Sequence, residues 1–136
     1  MLLDTSFIIA LELENRDDPF HARAKELDRD LVRENAVLLT HWGVSLEIGD
    51  GYARLGRREK GVQLLEKLQT EEGYRVVPLS EELMELAMTL YRARADKEWG
   101  LTDCLSFVVM EREGVTQALT ADVHFRQAGF EAMLLA

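Results

Sequence analysis

Hydrophobic residues occur along this chain in short runs that alternate with longer stretches of helical periodicity. The short runs have the length of β-strands, and the stretches between them repeat apolar residues every three or four positions, as helices do. The predicted strands are Leu2–Asp4, Ala36–Thr40, Tyr74–Pro78, Gln117–Thr120 and Ala132–Leu135. Strands separated by helices are typical of a mostly parallel sheet covered by helices on both faces, so we predict an α/β fold.

Residues that favour helix ends set the predicted helix boundaries. The first helix follows Asp4, a second opens at Pro19 with Asp18 as its cap, and a third covers residues 44 to 55. The remaining predicted helices are one carrying Val62, Leu65 and Leu68 that ends near Gly73, one capped by Ser80 that reaches Lys97, and one capped by Thr102 that ends before Gly114.

The length and charge of the chain limit the number of domains and the kinds of partner it can have. Its 136 residues fit one domain spanning residues 1–136, and its net charge of -9 argues against bulk attraction to nucleic-acid phosphates. A bound divalent cation can still supply local positive charge. The single cysteine, Cys104, permits no internal disulfide, and no apolar run is long enough to span a membrane. We therefore expect a cytoplasmic protein with no membrane partner.

Two aspartates follow predicted strands of the sheet. Asp4 ends the first strand and Asp122 lies two residues beyond the fourth. Ligands of open parallel sheets bind at the carboxyl ends of the strands, so both side chains should project from the same edge. The alternative is that each one only caps a helix or a turn.

Two further carboxylates lie near helix starts. Asp103 follows Thr102, where its charge also suits the helix dipole. Glu47 lies within or beside the apolar stripe of its helix, three residues after Val44, and an unpaired carboxylate facing a core is costly. It would need either a cation or an arginine partner. No Cys or His set has metal-ligand spacing, so oxygen ligands would select Mg²⁺ or Mn²⁺ over zinc.

Four segments resemble, in order, the motifs of PIN-domain nucleases, a family that includes the toxins of VapBC-type toxin–antitoxin pairs. They are Leu3–Ser6, Thr40–Glu47, Leu101–Ser106 and Leu119–Phe125, the last continuing to Gly129 and Phe130. Each motif alone is weak, but the four together cover essentially the whole chain.

The resemblance implies a three-layer sandwich whose five-stranded parallel sheet has the order 3-2-1-4-5. It also implies a metal-dependent endoribonuclease that uses Mg²⁺ or Mn²⁺, an RNA substrate, a homodimer and a small antitoxin protein as partner. The catalytic and metal-binding residues implied are Asp4, Glu47, Asp103 and Asp122. Ser6 and Thr120 match the polar positions that support the carboxylates.

Substrate phosphates need positive partners, for which the candidates are Arg54, Arg57, Arg58 and Lys97. The alternative is that these side chains form solvated helix faces. Trp42 and Trp99 could stack on bases or simply pack at the rim of the fold. Asp96 is a further acidic candidate, with a solvated helix end as its alternative role.

Three other protein classes share part of this pattern. A haloacid-dehalogenase-like phosphatase needs a second Asp two residues after the first, where this chain has Ser6. A receiver domain needs a late lysine, and no lysine follows Lys97. A catalytically inactive PIN-like module that binds RNA or protein stays open, and an RNase assay with manganese distinguishes it from an enzyme.

Overall fold

The computed structural model describes residues 1–12 and 18–136, which include a five-stranded parallel sheet. Its strands are β1 (Leu2–Leu3), β2 (Leu38–His41), β3 (Tyr74–Val77), β4 (Gln117–Leu119) and β5 (Glu131–Ala132). They pair in parallel in the order β3-β2-β1-β4-β5, which confirms the α/β class and the strand order that the resemblance implied.

Seven helices of the described residues connect and flank these strands. They are α1 (Thr5–Glu12), α2 (His21–Arg33), α3 (Trp42–Arg54), α4 (Arg58–Thr70), α5 (Glu81–Ala93), α6 (Leu101–Glu113) and α7 (Val123–Gln127). None of the helices in residues 1–12 and 18–136 has the length and apolar character needed to cross a membrane.

Several predicted boundaries move by a few residues. The second strand begins two residues later than predicted, and the fifth ends at Ala132. Ser80 caps α5 as predicted, accepting a hydrogen bond from the Leu83 N–H at 3.1 Å, but α5 ends at Ala93 rather than near Lys97. The predicted cap Thr102 is wrong, because Gly100 holds the N-cap position and Thr102 lies inside α6.

Alternating side chains of the strands feed two separate hydrophobic cores. Leu3, Leu38 and Leu119 pack into the core beneath helices α1 to α4. Their neighbours one position away, such as Leu2 and Leu39, pack into the other core, beneath α5, α6 and α7. Alternate residues of each strand therefore pack on opposite faces of the sheet. Polar side chains follow at the edge where the strands end.

Candidate active site

Asp4 lies at the carboxyl end of β1, between the two halves of the sheet. Strand β1 pairs with β2 on one side and with β4 on the other, so the chain's winding reverses here. The Asp4 N–H donates to the Leu119 carbonyl at 3.3 Å, which extends the pairing with β4 by one residue. The Asp4 carboxylate is thereby held at the edge where β1 and β4 both end.

Two hydroxyl groups hold the Asp4 carboxylate in place. Thr120 Oγ1 donates to Asp4 Oδ2 at 2.7 Å, and Ser6 Oγ donates to the same oxygen at 3.2 Å. Each hydroxyl also accepts a backbone N–H, from Asp122 at 3.0 Å for Thr120 and from Ala121 at 3.0 Å for Ser6. The two hydroxyl oxygens also lie 3.1 Å from each other, so Ser6, Thr120 and the Asp4 carboxylate form one hydrogen-bonded group.

Asp103 lies in the first turn of α6. Its Oδ2 accepts the Gly100 N–H at 3.1 Å, closing the start of the helix as a capping residue does. The same oxygen lies 2.9 Å from His124 Nδ1. Asp103 therefore caps α6 and also belongs to the carboxylate cluster, which consists of Asp4, Glu47, Asp103 and Asp122.

Asp122 is the N-cap of the short helix α7. Its Oδ1 accepts the His124 backbone N–H at 2.9 Å, and the Nδ1 atom of His124 lies 3.3 Å from the same oxygen. One ligand atom each from Asp103, Asp122 and His124 lie within 4.8 Å of one another. Asp4 and Glu47 are not part of this closest group, although their charges are coupled to it.

Glu47 lies on α3, and its side chain does not face the core. The residue is exposed, whereas Val44 and Ile48 of the same helix are buried. At about 100° per residue, Glu47 lies about 60° from Val44 on the side opposite to Ile48, which places it at the border of the apolar stripe. The inward orientation predicted from the sequence is therefore wrong, and Glu47 lies at the rim.

The Glu47 carboxyl nevertheless titrates far from its ordinary range. Partial burial of the carboxyl group, followed by the charges of Asp4, Asp103 and Asp122, raises its pKa from 4.5 to about 7. Because the residue as a whole is exposed, solvent partly screens these charges. Burial also raises the pKa of Asp4, against hydrogen bonds from Thr120, Thr5 and Ser6 that lower it.

The negative charge of these carboxylates calls for a positive partner. Within residues 1–12 and 18–136, no lysine or arginine forms a salt bridge with Asp4, Glu47, Asp103 or Asp122. Carboxylate oxygens are preferred by hard divalent cations, and an added cation would relieve the repulsion that, after burial, raises the Glu47 pKa. The residues present therefore fit a divalent metal ion.

A buried histidine links the helix of Glu47 to the helix of Asp103. His41 Nδ1 accepts the Gly43 N–H at 3.0 Å, so the ring proton lies on Nε2, which donates to Ser106 Oγ at 2.7 Å. A Cβ on Gly43 would lie 2.8 Å from the His41 ring, which explains a glycine in the first turn of α3. Burial lowers the pKa of His41 from 6.5 to about 4.

We expect His41 to make the protein less stable in mild acid. The unfolded chain binds a proton at His41 below its ordinary pKa of 6.5, and the folded chain does so only near 4, so stability is lost as pH falls between these values. From pH 7 to pH 5 this loss is about 2 kcal/mol of unfolding free energy. Urea unfolding of wild type and His41→Asn at both pH values measures it. Equal losses in the two proteins would show that His41 does not titrate in this way.

The candidate substrate-binding residues are spread over several surfaces. Arg54 lines a cavity of about 400 Å³ together with Glu47. Arg57 and Arg58 are exposed at the start of α4. Lys97 lies 4.0 Å from Asp96 Oδ2 and lines a different cavity. Of the four, only Arg54 shares a cavity with a residue of the carboxylate cluster.

The other residues singled out from the sequence lie outside the carboxylate cluster. Trp99 is buried and donates from Nε1 to Gln127 Oε1 at 2.9 Å, whereas Trp42 is exposed. Asp96 is paired with Arg94 at 3.0 Å on an exposed surface. Cys104 is buried, and burial raises the pKa of its thiol. Asp96 therefore lies in an ion pair outside the cluster.

The sequence analysis did not single out His124 as a site residue. The residue lies in α7 and contacts both Asp103 and Asp122. Its position two residues after Asp122 was a usable signal, because an N-cap aspartate turns the backbone so that this residue lies beside its carboxylate. The His41–Ser106 contact gave no local signal, since 65 positions separate the two residues.

Comparison with known proteins places the chain in a class. The PIN domain family model matches residues 1–131, and the chain belongs to this family. Among solved structures it is similar to VapC20 of Mycobacterium tuberculosis, a toxin that cleaves the sarcin–ricin loop, with 27% identity, a TM-score of 0.80 and 95% coverage of each chain. FitAcB from Neisseria gonorrhoeae matches with 20% identity, a TM-score of 0.68, and coverage of 96% of this chain and 94% of that one, a likeness of fold alone. No curated protein matches the sequence.

Proposed function

We propose that this chain, acting as a single domain over residues 1–136, is a metal-dependent endoribonuclease whose site is formed by Asp4, Glu47, Asp103 and Asp122. The observation that carries the proposal is the coupling of four carboxylates without a lysine or arginine partner in the described residues. Partial burial and then the charges of Asp4, Asp103 and Asp122 raise the pKa of Glu47 to about 7. Membership of the PIN domain family and the similarity to a ribosomal-loop-cleaving toxin support RNA as the substrate class.

Mg²⁺ or Mn²⁺ is the cofactor that these ligands suit, held by oxygens of Asp4, Glu47, Asp103 and Asp122. When bound, such an ion activates water and offsets negative charge at a phosphodiester. The chain's own side chains position the site: Ser6 and Thr120 fix the Asp4 carboxylate through hydrogen bonds of 3.2 and 2.7 Å.

Substrate binding calls for cations outside the carboxylate cluster. Arg54 is the first candidate, because it shares a cavity with Glu47. A guanidinium there can pair with a backbone phosphate next to the bond that is cut. Arg57, Arg58 and Lys97 are further candidates for phosphates more distant along the RNA.

The direct test is an RNA cleavage assay with purified protein. We expect cleavage of single-stranded or loop RNA in Mn²⁺ or Mg²⁺ and none in EDTA. A synthetic sarcin–ricin loop is the first substrate to test because of the similarity to VapC20. An inactive PIN-like module that binds RNA or protein predicts no cleavage under any metal, and metal-independent cleavage would equally contradict the proposal.

We also propose a small antitoxin protein and a second copy of the chain as partners. The similarity to the toxin VapC20 supports the antitoxin. An antitoxin arginine would match the unpaired carboxylates, since a guanidinium binds a carboxylate through two parallel hydrogen bonds. Expression of the chain alone should slow bacterial growth, and expression of Asp4→Asn at the same level should not. Equal growth would contradict the toxin role but not the nuclease activity. The proposed homodimer is tested separately, by light scattering of the purified chain.

A further inference from the structure

His124 occupies the space between two carboxylates of the proposed site. Its Nδ1 lies 2.9 Å from Asp103 Oδ2 and 3.3 Å from Asp122 Oδ1. Ionised carboxylates only accept hydrogen bonds, so the Nδ1 atom that faces them carries a hydrogen. The side chain is 23% exposed, so the imidazole lies at the protein surface and not in the hydrophobic core.

In each of the two carboxylates, the contacts involve only one of the two oxygens. Asp103 receives both of its hydrogen bonds on Oδ2, from the Gly100 N–H at 3.1 Å and from His124. Asp122 receives both of its contacts on Oδ1, from the backbone N–H and the ring of His124. In the part of the chain that the structure describes, no hydrogen bond reaches the other oxygen of either carboxylate.

We propose that His124 is a positioning residue of the metal site: its Nδ1–H fixes Oδ2 of Asp103 and its backbone N–H fixes Oδ1 of Asp122, which directs the other oxygen of each carboxylate toward the cation. The inference rests on the proposed function of these carboxylates. Side chains that hold metal ligands in this way set their orientation, and their loss weakens metal affinity by about 10–100-fold.

The position of His124 at the start of α7 lets it contact both carboxylates. The same residue donates its backbone N–H to the Asp122 carboxylate and its ring N–H to the Asp103 carboxylate. Asp103 comes from α6, and His124 is therefore the residue that joins the ligand of α6 to the ligand that precedes α7. Without the ring, Asp103 keeps only its bond to Gly100 and gains freedom to rotate.

The test compares substitutions that differ in one hydrogen-bond donor. In His124→Asn the side-chain amide nitrogen takes the place of Nδ1, and in His124→Ala no donor remains. Val123→Ala, an exposed position in the same helix, is the matched control for disturbance of α7. Each purified protein is titrated with Mn²⁺ to obtain its dissociation constant, and melting temperatures in EDTA report whether the fold is kept.

We expect His124→Ala to weaken Mn²⁺ binding at least about 10-fold, while His124→Asn and Val123→Ala stay within about 3-fold of wild type. Electron spin echo measurements on Mn²⁺-loaded wild type should show no coupling to a directly bound imidazole nitrogen. Such a coupling, or unchanged affinity in His124→Ala, would overturn the positioning role while RNA cleavage by the wild type still supports the nuclease. A wild type that binds no Mn²⁺ and cuts no RNA would overturn both proposals.

Discussion

Replacing Asp4 or Asp122 by Asn is expected to lower the rate of metal-dependent RNA cleavage by at least about 100-fold. Loss of a residue that merely supports a metal ligand costs about 10–100-fold, and loss of a ligand should cost no less than the upper end of that range. The amide keeps the shape of both side chains. The Asp122→Asn variant retains an oxygen for the His124 N–H, and the Asp4→Asn variant retains one for Thr120, so neither change should unfold the protein.

Asp96→Asn is the matched control for these two variants. Asp96 is an exposed aspartate in an ion pair with Arg94, outside the carboxylate cluster. Its replacement should leave the cleavage rate within about 2-fold of wild type, because exposed ion pairs contribute little to stability. Near wild-type rates in Asp4→Asn or Asp122→Asn would show that the site has been assigned to the wrong carboxylates.

Glu47→Gln is expected to stabilise the metal-free protein at pH 8. A carboxyl whose pKa is raised from 4.5 to about 7 in the folded state contributes stability below pH 4.5, and this is lost as pH rises through 7. The amide of the Glu47→Gln variant does not titrate, so this variant escapes the loss. Allowing for the exposure of the side chain, we expect a gain of about 1 kcal/mol, or roughly 3–5 °C in melting temperature, in EDTA at pH 8.

Mn²⁺ should reverse the order of the melting temperatures of wild type and Glu47→Gln. A cation that binds only the folded state stabilises it more the tighter it binds, so Mn²⁺ should raise the melting temperature of wild type more than that of Glu47→Gln. Asp50→Asn on the same helix is the control, because Asp50 is not among the charges that raise the Glu47 pKa. A lower melting temperature of Glu47→Gln in EDTA at pH 8 would contradict the raised pKa of Glu47.

The fold was predictable because its determinants are local. Leu2 and Leu3 point into opposite cores, and strands buried on both faces have continuous apolar sequences that are easily recognised. The strand order was not contained in that pattern and came from the family resemblance. Helix ends were less predictable, since the choice between Gly100 and Thr102 as the cap of α6 depends on where Asp103 finds its partners.

The carboxylate site was predictable at strand ends and less so on helices. Asp4 and Asp122 follow adjacent strands, so their edge position follows from the parallel sheet itself. The orientation of Glu47 was mispredicted because a residue at the border of an apolar stripe faces the rim or the core depending on tertiary packing. His124 was missed because its role depends on Asp103, which is 21 positions away in the sequence.

The central claim is that Asp4, Glu47, Asp103 and Asp122 form one metal site. A crystal structure of the protein with Mn²⁺, phased at the manganese absorption edge, locates the ion directly. We predict an anomalous peak within coordination distance of oxygens from Asp4 and at least one of Asp103 and Asp122, with its strength reduced in Asp4→Asn. A peak bound to other residues, or no peak at saturating Mn²⁺, would contradict the account.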